Sequence, residues 1–297
     1  MRVTAPMAAH EPPRREQSLW LRRLAHWGAL EGPQSFVRLS PPAIGAAFGL
    51  ALPDMRQRVV RNLRRIHGQR SVLREQAEAL QTLSNYAACF AESIAAGRSD
   101  VTPRVQVEGT EHLHRALGRG GVVVVTAHVG PWELTAQLLG TNLAARVVLV
   151  MEPEPNREAR EFQDRLRAQR GLKILHVGAH PTDALPLIAH LKSGGVAALQ
   201  MDRVPPSGRV IEVELFGKPF GIPEGPFRLA GLSGAQVVPV FGRRRGFFDY
   251  ELQIAEPVEV PRHPKAEQLV AGAQRAADAM QDFIAQSPTQ WFHFAPD

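Results

Sequence analysis

The sequence predicts an α/β fold with a largely parallel central sheet flanked by helices, preceded by an N-terminal helical segment. Three observations carry that expectation. From Val105 onward, short apolar runs alternate with amphipathic stretches of helical period, the pattern of a sheet covered on both faces. Within it, Gly121 is followed by four valines, Val122–Val125, an unbroken run that suits a strand buried on both sides. The length of 297 residues, with 44% apolar and 22% charged side chains, supplies core for one large domain plus an added helical segment.

The elements follow in order. Residues 1–16, rich in proline and charge, read as a disordered tail. Ser18–Leu30 reads as a helix with Trp20, Leu24 and Trp27 on one stripe and Arg22, Arg23 and His26 beside it. A second helix starts with Asp54 as N-cap and stops at Gly68; Met55, Val59, Leu63 and Ile66 form its inner face, leaving Arg56, Arg61, Arg64 and Arg65 outside. A third runs from Ser71 to Ala96, ended by Gly97. Residues 17–100 therefore form a helical segment, and 101–297 the α/β domain.

That domain opens with a short strand, Val105–Val107, and a helix from Thr110 to Gly118. The valine strand delivers His128 beyond its end. Gly130-Pro131 then turns the chain; Pro131 suits the first helical position because it lacks an N–H, and the helix runs to Gly140. Arg146–Met151 is a strand, and Asn156 caps an arginine-rich helix that stops at Gly171. Lys173–Val177 (strand), Thr182–Lys192 (helix) and Val196–Met201 (strand) follow, the last delivering Asp202-Arg203. Val210–Phe216 alternates as a strand, and Gly217–Gly225 reads as a Gly- and Pro-rich loop. Pro226–Leu232 is a short helix, Gln236–Phe241 and Tyr250–Ile254 are strands, and Ala266–Gln286 is a closing helix before an aromatic tail, Trp291–Phe294.

Charge is distributed unevenly. The first hundred residues hold 14 arginines against 8 acidic groups, and the remainder 21 basic against 21 acidic, so the whole net charge of +6 sits at the N-terminal end. Such a bias points to an anionic partner, a membrane surface or a nucleic acid. No recognised nucleic-acid motif or aromatic stacking platform accompanies it, so the expectation is a membrane and no nucleic acid. Two tryptophans beside arginines in Ser18–Leu30 suit an interfacial helix, although a helix packing on its own domain fits the same residues. The most apolar stretch, Ile44–Leu52, is too short to span a bilayer, and Pro41, Pro42 and Pro53 interrupt its surroundings. Met1–Pro13 lacks the apolar region of a signal peptide, so cytosolic synthesis and retention are expected. A lone cysteine, Cys89, excludes an internal disulfide framework and a Cys-rich zinc site.

Several chemistries are absent from the pattern: there is no G-x-S-x-G elbow, no phosphate-binding P-loop, no G-x-G-x-x-G opening a helix and no H-E-x-x-H. His128 and Glu133 are too few to ligate a metal, so no metal is expected. A histidine at a strand's carboxyl end, with a carboxylate five positions later, can act as a base and its orienting partner. Equally, such a histidine can be structural, and Glu133 can serve as a charge at a helix N-terminus. These parts, with Asp202-Arg203 at another strand end, suit transfer of an acyl group to a hydroxyl. His128 would take the proton, Glu133 would steady the imidazolium, and nearby donors would hold the oxyanion.

His128-x4-Glu133 behind an apolar strand resembles the signature of the lysophospholipid acyltransferase superfamily. More closely, the chain is similar to the bacterial lipid A biosynthesis (lauroyl/myristoyl) acyltransferases and their phosphatidylinositol mannoside acyltransferase relatives. The supporting stretches are Arg61-Asn62-Leu63, Asp202-Arg203, Leu215–Phe220, Pro223–Pro226 running into Leu229-Ala230, Gly234–Val240 and Gln290-Trp291-Phe292. The resemblance implies acyl transfer from an acyl carrier protein or coenzyme A thioester to a glycolipid hydroxyl, with no other cofactor. It carries His128 over as base, Glu133 as its partner, Arg165 and Arg167 as substrate-binding arginines, and Asp202 and Arg203 as site-lining residues. Read without it, Arg165 belongs to a solvated helix face and Asp202 is a strand-end carboxylate facing a helix terminus. Members commonly begin with a membrane-spanning helix, so the broken apolar stretch here implies peripheral attachment at the cytoplasmic face of the bacterial inner membrane. The same fold without the chemistry, as an acyl-thioester or lipid-binding module, is the alternative.

Overall fold

The computed structural model describes residues 19–135, 147–154, 156–169, 173–178, 181–205 and 208–295. The expected tail over 1–16 and the helix beyond Thr135 lie outside them. The chain begins with α1 (Leu19–Glu31), α2 (Gln34–Ala51), α3 (Pro53–His67) and α4 (Val72–Ala95). Against the expectation of an interrupted stretch, α2 continues through Pro41 and Pro42. Pro41 is seated on the packed side of the helix: Val37, Pro41, Gly45 and Gly49 lie at four-residue spacing on one buried face. The break comes at Leu52-Pro53, where the residue before proline is driven out of helical conformation and α3 leaves at 101° to α2.

The glycines of that face let α2 lie directly on α4. A Cβ on Gly45 would stand 2.4 Å from the carbonyl oxygen of Leu83, and one on Gly49 would meet the Leu80 and Leu83 side chains at 2.7 Å. Gly45→Val is therefore expected to lower stability by about 1–3 kcal/mol through overpacking, read as a lower urea midpoint at unchanged slope. Native stability in that variant would mean that the two helices do not pack this closely.

After β1 (Arg104–Glu108) and α5 (Thr110–Leu117) come β2 (Val122–Thr126), a helical turn from Trp132, β3 (Val147–Met151), α6 (Arg157–Gln169) and β4 (Lys173–His176). Then follow α7 (Ala184–Lys192), β5 (Val196–Gln200), β6 (Val210–Leu215), β7 (Lys218–Pro223), α8 (Gly225–Ser233), β8 (Gln236–Gly246), β9 (Asp249–Ile254) and α9 (Ala266–Gln286). The main sheet runs β1-β9-β8-β2-β5-β3-β4, and every pair is parallel except β8–β9. The four valines are buried on both faces of the sheet, as their unbroken run implies. Val123 and Val125 enter a core with α7, α8 and α9, whereas Val122 and Val124 face Leu113 and Ala116 of α5.

Two sequence expectations are corrected. Gly217–Gly225 is not all loop, because β7 pairs antiparallel with β6 as a separate hairpin, Val210 opposite Pro223 and Glu214 opposite Pro219. A two-stranded ribbon tolerates the prolines because one side of each strand needs no ladder partner. β8 also runs past Phe241 through three arginines that resemble loop. Arg243 and Arg245 pair with Glu251 of β9, while Arg244 Nε reaches the buried Glu92 of α4 at 2.7 Å. Glu92 also accepts from Tyr250 Oη at 2.5 Å. Its carboxyl is pushed up by burial, against the opposing pull of Arg244. This buried group ties the helical segment to the sheet.

Candidate active site

β2 and β5 are adjacent and parallel at the centre of the sheet, with Thr126 opposite Gln200. Met201 N–H donates to Thr126 O at 2.8 Å, which carries the register one step further. Two residues beyond each strand stand His128 and Asp202. Side-by-side carboxyl ends of parallel strands are where open α/β sheets gather ligand-binding groups. Gly130 makes the following turn possible: its φ is +51°, and a Cβ there would lie 2.4 Å from Gly242 O of β8.

The imidazole is held by Asp202. His128 Nδ1 lies 2.8 Å from Asp202 Oδ1, and His128 N–H donates to Oδ2 at 3.0 Å. Trp291 Nε1–H donates to the same Oδ2 at 3.1 Å, and His293 Nδ1 stands 3.9 Å away. The carboxylate is fully buried, while the His128 side chain keeps 14% exposure. Burial alone would raise the Asp202 pKa, but the facing imidazoles of His128 and His293 outweigh it and hold the group well below its ordinary 3.8. With Nδ1 so engaged, Nε2 is the nitrogen left to exchange a proton with a substrate. Trp132 packs edge-on against the ring at 5.6 Å.

A depressed carboxylate stabilises the fold above its unfolded-state pKa, and that contribution disappears as pH falls through the folded-state value. Acid unfolding of the native protein is therefore expected to steepen below about pH 4, and Asp202→Asn to flatten this limb. Parallel acid limbs in the two proteins, followed by circular dichroism, would refute it.

The expected His128–Glu133 contact is replaced by a different pairing. Glu133 Oε1 accepts from Arg167 Nη2 of α6 at 3.0 Å, both side chains being largely buried. The reason is geometric: Glu133 sits one residue into the helical turn that starts at Trp132, beyond the tight Gly130-Pro131 corner, whereas Asp202 is carried to His128 by strand register. The sequence-derived residues thus separate into two pairs, His128 with Asp202 and Glu133 with Arg167. Arg165, also on α6, and Arg203 are exposed. Trp291 and His293 had no assigned role; the aromatic tail Trp291–Phe294 was the signal that could have placed them.

The family model for bacterial lipid A biosynthesis acyltransferase matches residues 12–296. A phosphatidylinositol mannoside acyltransferase of Mycobacterium tuberculosis (strain CDC 1551 / Oshkosh) is 27% identical over 198 residues, 64% of this chain and 58% of that protein. Its counterpart in strain ATCC 25618 / H37Rv is 26% identical over 197 residues, with the same shares. The chain thus spans less than two thirds of the relatives it matches. The crystal structure of the 1-acyl-sn-glycerophosphate acyltransferase PlsC from Thermotoga maritima aligns with a TM-score of 0.39 and 14% identity, covering 82% of this chain and 97% of that one.

Proposed function

Because the chain belongs to the bacterial lipid A biosynthesis acyltransferase family, we propose that it is an O-acyltransferase acting on a membrane glycolipid of lipid A type. The acyl donor in this reading is a thioester of acyl carrier protein or coenzyme A, and no other cofactor is needed. The observation that carries the reading is the His128–Asp202 pair, with Nδ1 engaged and Nε2 open at the carboxyl ends of β2 and β5.

In the proposed reaction, Nε2 takes the proton of the acceptor hydroxyl as its oxygen bonds to the thioester carbonyl carbon. Asp202 stabilises the imidazolium that forms. The tetrahedral oxyanion then collapses, the carbon–sulfur bond breaks, and the imidazolium returns its proton to the leaving sulfur. Glu133 and Arg167 hold the turn after His128 against α6, and Arg165 and Arg203 are assigned to anionic groups of donor or acceptor. Incubating purified protein with an acyl thioester and glycolipid acceptors tests the proposal: an acylated lipid with release of one thiol is expected. Binding of the thioester without consumption, whatever acceptor is offered, would instead favour a non-catalytic module.

Attachment is proposed to be peripheral, from the cytoplasmic face of the inner membrane. Among the described residues no single helix is long and apolar enough to cross a membrane, although the bent pair α2–α3 passes that test jointly by length and composition. The support for surface attachment is the inverted packing of α2. Its small residues face α4, while Phe36, Leu39, Ile44, Phe48 and Leu50 point outward at 48–69% exposure, beside Trp27 of α1 at 65%. Large exposed apolar side chains grouped near a basic segment suit insertion into an anionic interface. Leu39→Glu with Phe48→Glu is expected to reduce binding to phosphatidylglycerol-containing vesicles by about tenfold or more, since each buried large side chain contributes about 1.5–3 kcal/mol. Unchanged co-sedimentation would move the contact elsewhere.

A further inference from the structure

The tail after α9 lies across the carboxyl ends of β2 and β5. Val129 and Trp291 form an antiparallel bridge, Phe292 N–H donates to His128 O at 2.7 Å, and Gly130 N–H donates to Gln290 O at 2.9 Å. The helical segment grips the tail from the other side. Asn62 of α3 donates to His293 O, Arg58 to Phe294 O at 3.3 Å, and Asn85 of α4 to Thr289 O at 3.1 Å. Between these two grips the Trp291 side chain is buried, with 2% of the residue exposed. Its ring stacks on His293 and packs beside Phe220.

This arrangement divides the Asp202 carboxylate. Oδ1 serves the imidazole, whereas Oδ2 takes the indole N–H and the His128 backbone N–H. The ionisable groups facing it are His128 from the end of β2 and His293 from the tail; Trp291 is an uncharged donor. A hydrogen bond donated to a carboxylate fixes its plane and draws charge from the oxygens, which weakens it as an acceptor for any other donor.

We infer that Trp291 is a positioning residue, whose indole N–H sets both the orientation and the acceptor strength of the carboxylate holding His128. The catalytic consequence rests on the general-base reading given above; the effect on the hydrogen bond itself is measurable without turnover.

Two replacements test it: Trp291→Phe, and site-specific 3-benzothienylalanine at 291, which keeps the bicyclic shape and exchanges the N–H for sulfur. The first readout is the low-field proton resonance of His128 Nδ1–H, assigned among the eleven histidines by its loss in His128→Gln. Without the indole donor Asp202 becomes the stronger acceptor, so the resonance is expected to move downfield in both variants. The second readout is kinetic: kcat falls by about tenfold, the scale of one charge-assisted hydrogen bond, KM holds, and the acid limb of kcat/KM moves to higher pH. A ring that only fills space would lower thermal stability and leave the resonance and the pH limb in place. Benzothienylalanine guards against Trp291→Phe failing to fold. A resonance at its native position in the shape-preserving variant overturns the inference, whether or not the protein transfers acyl groups. A displaced resonance in a protein that consumes no thioester supports it and sinks the general-base reading instead.

Discussion

Asp202→Asn is expected to reduce acyl-transfer turnover by about a hundredfold or more, close to 2.7 kcal/mol of barrier, with the fold retained. The argument is a count of donors. Two N–H groups, from the His128 backbone and the Trp291 indole, point at one oxygen of the side chain. An asparagine must turn its carbonyl toward them, leaving its NH2 facing His128 Nδ1. That nitrogen then has to accept, the proton moves to Nε2, and the imidazole is locked in the tautomer that cannot take a proton from a hydroxyl. Single-turnover assays with a labelled acyl thioester would measure the loss, and the same assay on Glu133→Gln provides the contrast. If Glu133→Gln proves the more damaging substitution, the orienting role returns to Glu133 and the geometry around Asp202 is structural.

His128→Ala should abolish transfer to a similar or greater extent, on the order of a hundredfold to ten-thousandfold, because it removes the proposed base. The buried Asp202 carboxylate would keep the Trp291 and backbone donors, so the protein should remain folded; thermal melting and thioester binding serve as controls. Near-native turnover in this variant would reject general-base catalysis by this residue. Lipid mass spectrometry of cells lacking the protein would identify the acceptor and chain length together, as one missing acyl chain.

Much of the fold was legible because its signals are local. The valine run became β2 with one added residue, Ala266–Gln286 is helical residue for residue, and β3, β4 and β5 fall within a residue of their expected ends. The failures share one cause, a local breaker overruled by a distant partner. Pro41 and Pro42 remain in α2, whose buried face, carrying Pro41, packs on α4. Pro219 and Pro223 remain in a strand because β6 supplies a single-sided ladder. Arg243–Arg245 extend β8 because Glu251 and Glu92 neutralise them.

The residue types of the candidate site were legible in the same way: His128 beyond a buried strand, Asp202 beyond another, Glu133 in the first turn of a helix. Their pairing was not. Proximity in sequence favoured Glu133, five residues from His128, over Asp202, which lies 74 away. Which segments are strands, and which side chains stand at their ends, could be read from the chain alone, since periodicity and turn chemistry act within a few residues. That β2 and β5 are neighbours in register could not, because sheet order is set by nonlocal packing of helices on both faces. That register gives the imidazole to Asp202 and leaves Glu133 to Arg167.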